Sequence, residues 1–179
     1  MWENHRRMRA DYQQVSDRDE LLSCVAGLSP KTAIFDIEPI VAIWNTGTSE
    51  LSGGVERFAR QLSAIPGIEF IGFVTNSRRH AAVTSPPGGP TVFYVSSAHK
   101  PLLIGRYRDL PRPGVVVGDQ LTTDGILAWR LGFDFVHYDP AGEDSPRGVR
   151  IMNLTGSLLR PLFFNSAGHP GPPADLNRG

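Results

Sequence analysis

Residues 114–138 read GVVVGDQLTTDGILAWRLGFDFVHY. Gly114 to Val117 shows no alternation of polar and apolar residues, which is the mark of a strand covered on both faces. Thr123 to Leu131 reads as a helix, and Phe133 to Tyr138 as a further buried strand. Strand, helix and strand in succession build a parallel sheet. The connecting loop is acidic, with Asp119 and Asp124 at the carboxyl end of the first strand. That edge is where open parallel sheets bind their ligands.

The same alternation extends toward the N-terminus. Asp17 to Ala26 predicts a helix with Leu21, Leu22 and Val25 on one side. Thr32 to Phe35 begins an apolar strand that runs into residues 33–41, AIFDIEPIV, where Asp36 and Glu38 interrupt core-type residues. Ionised acids are rarely buried unless paired or metal-bound. This stretch is therefore either a polar strand end leading into a loop or a pair of acids with chemistry to do. Val55, Phe58, Ala59, Leu62 and Ile65 recur with the spacing of an amphipathic helix, capped by Ser52 and ended by Pro66-Gly67. Strands are expected at Glu69 to Val74 and Thr91 to Val95, and a short helix at Leu102 to Asp109. Together these elements predict an α/β domain with a doubly wound, mostly parallel sheet of five strands. The domain would run over 17–164, between a disordered basic tail at 1–16 and a disordered Gly/Pro-rich tail at 165–179.

Composition sets further bounds. The chain has 179 residues, enough for one domain with a real core. Its 18 basic and 18 acidic side chains cancel, so net charge offers no reason to bind nucleic acid or an anionic membrane. No apolar run approaches the roughly 20 residues of a membrane span, and Met1 to Arg9 lacks the apolar core of a secretory signal. The single cysteine, Cys24, falls in a helix and reads as a buried structural thiol in a reducing compartment. A cytoplasmic location follows, in which the Asn153-Leu154-Thr155 acceptor pattern has no meaning.

Four strand ends point to one site. Asp36 and Glu38 follow the first strand, Thr75 and Asn76 the second, His99 and Lys100 the third, and Asp119 and Asp124 the fourth. Lys31 and Lys100 are the two lysines of the chain, so a lysine at this edge carries information. Oxygen donors converging from two strands suit Mg²⁺. A divalent cation beside a lysine and a hydroxyl suits a phosphate, and a carboxylate can itself attack phosphorus. Taken singly, each feature has a plainer reading. Asp119 and Asp124 could be a turn and a helix cap, Thr75 a strand-end cap, and Lys100 a solvated side chain. Their order along alternating strands is what favours one site.

In this order the residues resemble the haloacid dehalogenase superfamily of phosphatases, in particular its small capless bacterial members. The likeness covers roughly Thr32 to Tyr138, and its most specific part is VVVGDQLTTDGILAWRLGF at 115–133. It implies a Rossmann-like fold and Mg²⁺-dependent hydrolysis of a phosphomonoester through an aspartyl-phosphate. Asp36 would be the nucleophile and Glu38 the acid and base. Asp36, the backbone carbonyl of Glu38, and Asp119 would hold Mg²⁺, with Asp124 supporting the metal shell. Thr75 and Lys100 would bind the phosphoryl oxygens, with Asn76 as a secondary contact.

The first motif departs from the family pattern. Glu38 stands where the family has Asp, and Ile40 where it has Thr or Val. Pro39 lacks an N–H and pushes Glu38 away from the helical region just where the family makes a tight turn. Two rivals to the enzyme therefore stay open: a catalytically impaired module that binds a phospho-ligand or protein partner, and a receiver-like domain that accepts phosphate on Asp36 without releasing it. The spacings leave no room for a cap domain, since the 24 residues between Thr75 and Lys100 hold a short helix, a loop and a strand. Such a site is open, so a bulky substrate could close it.

Other features read plainly. Asn45 to Gly54, NTGTSELSGG, lacks the ending of a phosphate-binding P-loop and reads as a flap beside the site. His80, His99 and His137 lack zinc-ligand spacing. Arg78-Arg79 reads as a solvated helix start, or as a rim that favours anions. Leu158, Leu159, Leu162, Phe163 and Phe164 form an apolar cluster that either docks on the domain or meets a second copy or a membrane surface.

Overall fold

The computed structural model describes residues 10–42, 46–140 and 160–166. It contains seven strands: β1 (Ala10–Val15), β2 (Thr32–Phe35), β3 (Phe70–Val74), β4 (Thr91–Val95), β5 (Gly114–Gly118), β6 (Asp134–Tyr138) and β7 (Phe164–Ser166). They form one sheet in the order β4-β3-β2-β5-β6-β1-β7, and every recorded pairing is parallel. The helices are α1 (Arg18–Leu28), α2 (Thr48–Ser63) and α3 (Ile126–Leu131). No helix among the described residues is long and apolar enough to cross a membrane.

The continuous apolar runs are buried on both faces. Ala33 and Phe35 of β2, with Val115 and Val117 of β5, face a core shared with Leu21 and Val25 of α1 and with Val55, Phe58 and Leu62 of α2. Ile34 and Val116 point the other way, into a second core with Leu127, Ala128 and Leu131 of α3. The period of two in a strand sends alternate residues to opposite faces. Helices on both faces then account for strands without polar positions, and the doubly wound architecture holds. Phe35 and Phe58 meet edge to face at 5.1 Å between ring centroids, tying α2 to the centre of the sheet.

Several expectations need correction. The sheet has seven strands, not five. The extra strands β1 and β7 lie together beyond β6, and β1 is an interior strand. Residues 10–15, expected in a disordered tail, instead bury Ala10, Tyr12 and Val15 between β6 and β7. Their interleaved Asp11, Gln13 and Gln14 hid the strand, because these polar residues interrupt its apolar pattern. β7 likewise carries the ordered chain past the expected boundary at 164. The flap expected at 45–54 is largely the first two turns of α2. Gly54 has a packing reason: a Cβ would come within 3.2 Å of the Val41 carbonyl oxygen, so glycine lets the helix press against the turn after β2. No helix starts at Arg78-Arg79, and the helix expected at Leu102 to Asp109 shrinks to one 3₁₀ turn at Gly105–Tyr107.

The C-terminal cluster docks in part. Phe164 is buried, and Phe163 packs edge to face on Trp129 at 4.9 Å, while Leu162 is exposed. Leu158, Leu159, the N-terminal arginines and Trp44 lie outside the described residues.

Candidate functional site

The strand order reverses direction at the centre of the sheet. From β2 the chain goes to β3 on one side, and β5 joins β2 on the other. The crevice between β2 and β5 is thus the topological switch point, where open sheets bind ligands. Asp36 leaves β2 there, its N–H donating to the Val117 carbonyl at 2.8 Å, which continues the β2–β5 pairing by one bond. The chain then turns sharply. Val41 and Ala42 both donate to the Ile37 carbonyl, at 2.8 and 3.2 Å, so the turn closes without an N–H from Pro39. The Glu38–Pro39 bond is cis. Ile40 is buried in the core.

Asp119 follows β5 directly, and Asp124 sits in a widened helical turn over Leu121–Gly125 that precedes α3. In this turn Gly125 donates to the carbonyl of Gln120, five residues back, at 3.2 Å. Such π-type turns are common at functional sites. Here the turn folds Asp124 back over Gly118, where a Cβ would meet the Asp124 carboxyl carbon at 2.3 Å. Gly118 is therefore glycine because a carboxylate occupies the space.

One carboxylate oxygen each from Asp36, Asp119 and Asp124 lies within 4.8 Å of the others, and all three residues are buried. Lys100 closes the group. Its ammonium is 2.6 Å from Asp124 Oδ1 and 3.0 Å from Asp36 Oδ1. It comes from the loop after β4 and is fixed by Asn76, whose amide accepts from the Lys100 N–H at 2.7 Å and donates to the Lys100 carbonyl at 3.2 Å. The Asn76 amide thus holds the Lys100 backbone from both sides. Burial pushes Asp36 up to about 6, with Lys100 opposing the rise and Asp124 adding to it. Burial, then Asp124 and Asp36, push Asp119 up to about 8. Burial alone would lower Lys100, but Asp124 and Asp36 outweigh it and hold the ammonium above its ordinary value.

When all three are ionised, the carboxylates outnumber the one ammonium by two charges, the charge of one divalent cation. Among the described residues Asp119 Oδ1 is buried with no hydrogen-bond partner, which is costly unless something binds it. The donors are all oxygen, as Mg²⁺ prefers. The residues present thus fit such an ion, with Asp36, Asp119 and Asp124 as its holders.

Glu38 belongs to a different group. Its Oε1 pairs with the guanidinium of Arg79, and its Oε2 accepts from Thr75 Oγ1 at 3.2 Å. Its side chain stands outside the triad, although it too is buried. Arg79 also donates to the Thr46 carbonyl at 2.9 Å. The sequence reading missed this pairing, because the two residues are 41 positions apart and no local pattern joins them.

His137 was also missed. It is the last but one residue of β6, in register with Gly118 of β5, and its Nε2 lies 3.0 Å from the Asp119 carbonyl oxygen. A carbonyl only accepts, so Nε2 carries the proton and Nδ1 takes the Tyr12 phenolic proton at 2.9 Å. Burial lowers His137 below its ordinary value, with the bond to the Asp119 carbonyl opposing the shift. A histidine at the tip of the strand beside the acidic loop was the available signal. Its spacing from His80 and His99 was the wrong test.

Neither family models, nor curated proteins, nor solved structures match this chain. The site must be argued from its own geometry.

Proposed function

We propose that this protein hydrolyses phosphomonoesters through an aspartyl-phosphate on Asp36, with Mg²⁺ held by Asp36, Asp119 and Asp124. The observation that carries this reading is the buried group of three carboxylates and one lysine at the switch point of a parallel sheet. A bound Mg²⁺ would offset the charge of the phosphoryl oxygens. Asp36 is the nucleophile: Ile37 N–H and Lys100 both engage its Oδ1, which supports attack through Oδ2. With Asp36 near 6, the carboxylate is ionised at neutral pH. Its attack forms the P–O bond of the acyl-phosphate as the bond to the leaving oxygen breaks. Glu38 would give that oxygen a proton and then take one from the water that releases inorganic phosphate. Thr75 would orient a phosphoryl oxygen, and Lys100 neutralises charge from a fixed position.

The test is phosphate release from an aryl phosphate with and without Mg²⁺, alongside Asp36→Asn. Turnover should require the metal and fall on the order of 10³-fold in the variant. Equal turnover by both proteins removes the nucleophile.

One observation favours a second reading, a phospho-ligand binding module. Both Glu38 oxygens are engaged, by Arg79 and Thr75. Phosphate binding with no turnover in the wild type, together with activity gained on replacing Glu38-Pro39-Ile40 by Asp-Asn-Thr, selects that reading.

A further inference from the structure

Two cations contact the carboxylates of this site, and they differ in exposure. Lys100 is locked: its side chain is 2% exposed and sits between Asp36 and Asp124 at 3.0 and 2.6 Å. Arg79 is at the rim, with a side chain 25% exposed, while its partner Glu38 is 5% exposed. Arg79 emerges from the turn that follows Thr75, and that turn is well anchored. The Arg79 N–H donates to Ser77 Oγ at 3.2 Å, and the Arg79 carbonyl accepts from the Tyr94 hydroxyl at 3.2 Å. The backbone is thus fixed while the guanidinium reaches inward to Glu38.

Four buried carboxylates, Asp36, Glu38, Asp119 and Asp124, face two side-chain cations, of which Arg79 is the more exposed. Only a cation that reaches solvent can meet an incoming anion first. A guanidinium also offers two parallel donors to phosphate oxygens, which an ammonium does not. We propose that Arg79 is the phosphate-recruiting residue of this site, resting on Glu38 and turning onto the phosphate of a phosphomonoester as it enters. The exchange leaves Glu38 free of its ion pair beside the bound substrate. This inference rests on the phosphate-binding reading of the site given above. It explains how a site so rich in carboxylates admits an anion, and it assigns specificity for phosphate to a residue on the β3 side of the crevice.

The experiment is calorimetric titration of the full chain with inorganic phosphate in the presence of Mg²⁺, comparing wild type, Arg79→Gln and Arg79→Lys. Arg79→Gln should bind about tenfold to a hundredfold more weakly, the range for losing a hydrogen bond to a charged group. Arg79→Lys should recover part of that loss. Thermal melts identify a variant that has not folded, and for that case the pair Glu38→Gln/Arg79→Gln, which buries no lone charge, should show the same weakening. Equal phosphate affinity in folded wild type and variants overturns the proposal, as does a wild type that binds no phosphate. The aryl phosphate assay separates this inference from the function on which it rests. Phosphate binding that depends on Arg79 without turnover removes the hydrolase and keeps the recruiter. Turnover with KM unchanged in Arg79→Gln keeps the hydrolase and removes the recruiter.

Discussion

At the scale of single residues, Gly118 and Cys24 show how neighbours decide what a position tolerates. The space beside the Gly118 Cα is filled by the Asp124 carboxyl, 2.3 Å from where a Cβ would stand. Gly118→Ala must therefore displace Asp124 and part it from Lys100. Overpacking of this kind costs about 1–3 kcal/mol. Urea denaturation should show that loss, and Mg²⁺ should raise the melting temperature less than in wild type. Unchanged stability would mean that the loop yields without cost. Cys24 is half-buried on α1 and its thiol donates to Gln13 Oε1 at 2.8 Å. Burial, and secondarily Glu20, push this thiol up to about 11. The unfolded chain ionises first as pH rises, so this group's contribution to stability is lost between its ordinary value and about 11. Alkylation by iodoacetamide at pH 8 should run roughly 100-fold slower in the folded protein than in urea, since about two pKa units separate the two thiols. Equal rates would show that the helix does not shield the sulfur.

At the scale of elements, the acidic loop is held from behind by a strand. Tyr12 of β1 bonds His137 of β6, and His137 bonds the Asp119 carbonyl at the end of β5, so three strands align one residue of the carboxylate group. Supports of this kind fix the geometry of the residues in front of them. His137→Phe keeps the ring volume and removes the donor, leaving a buried carbonyl unpaired at a cost of about 1–3 kcal/mol. The expected readout is a smaller Mg²⁺-induced rise in melting temperature than in wild type, with Tyr12→Phe showing a weaker effect in the same direction. An identical rise in all three proteins would reduce the relay to packing. The turn after β2 teaches a related lesson. Pro39 argued against a tight turn there, yet the turn forms, because Val41 and Ala42 supply the N–H groups that close it on Ile37. Local propensity described one residue correctly, and the neighbours compensated for it.

At the scale of the whole molecule, the sheet is wider than its apolar runs suggest. β1 sits between β6 and β7, and Tyr12 packs among Phe135, His137 and Phe164 with ring centroids about 6 Å apart. Tyr12→Ala should cost about 3–5 kcal/mol, as for other large core aromatics, measured by chemical denaturation. A loss below 1 kcal/mol would mean that β1 is only loosely attached. The wide sheet also frames the site, since the buried carboxylates stand at the tips of its two central strands and their support comes from β6 and β1.

By itself the sequence determined the parallel α/β class, the two helix-covered faces, and the strand tips at which Asp36, Asp119, Asp124 and Lys100 lie. Unbroken apolar runs and helical periodicity are local signals, and a parallel sheet puts successive strand ends on one edge whatever the order of the strands. Only the tertiary structure decided which strands are neighbours, that β1 completes the sheet, that Asn76 clamps Lys100, and that Arg79 holds Glu38. Those facts depend on contacts between residues tens of positions apart. Such contacts leave no periodicity in the chain, because what selects them is the closing of charges and hydrogen bonds once the backbone has folded.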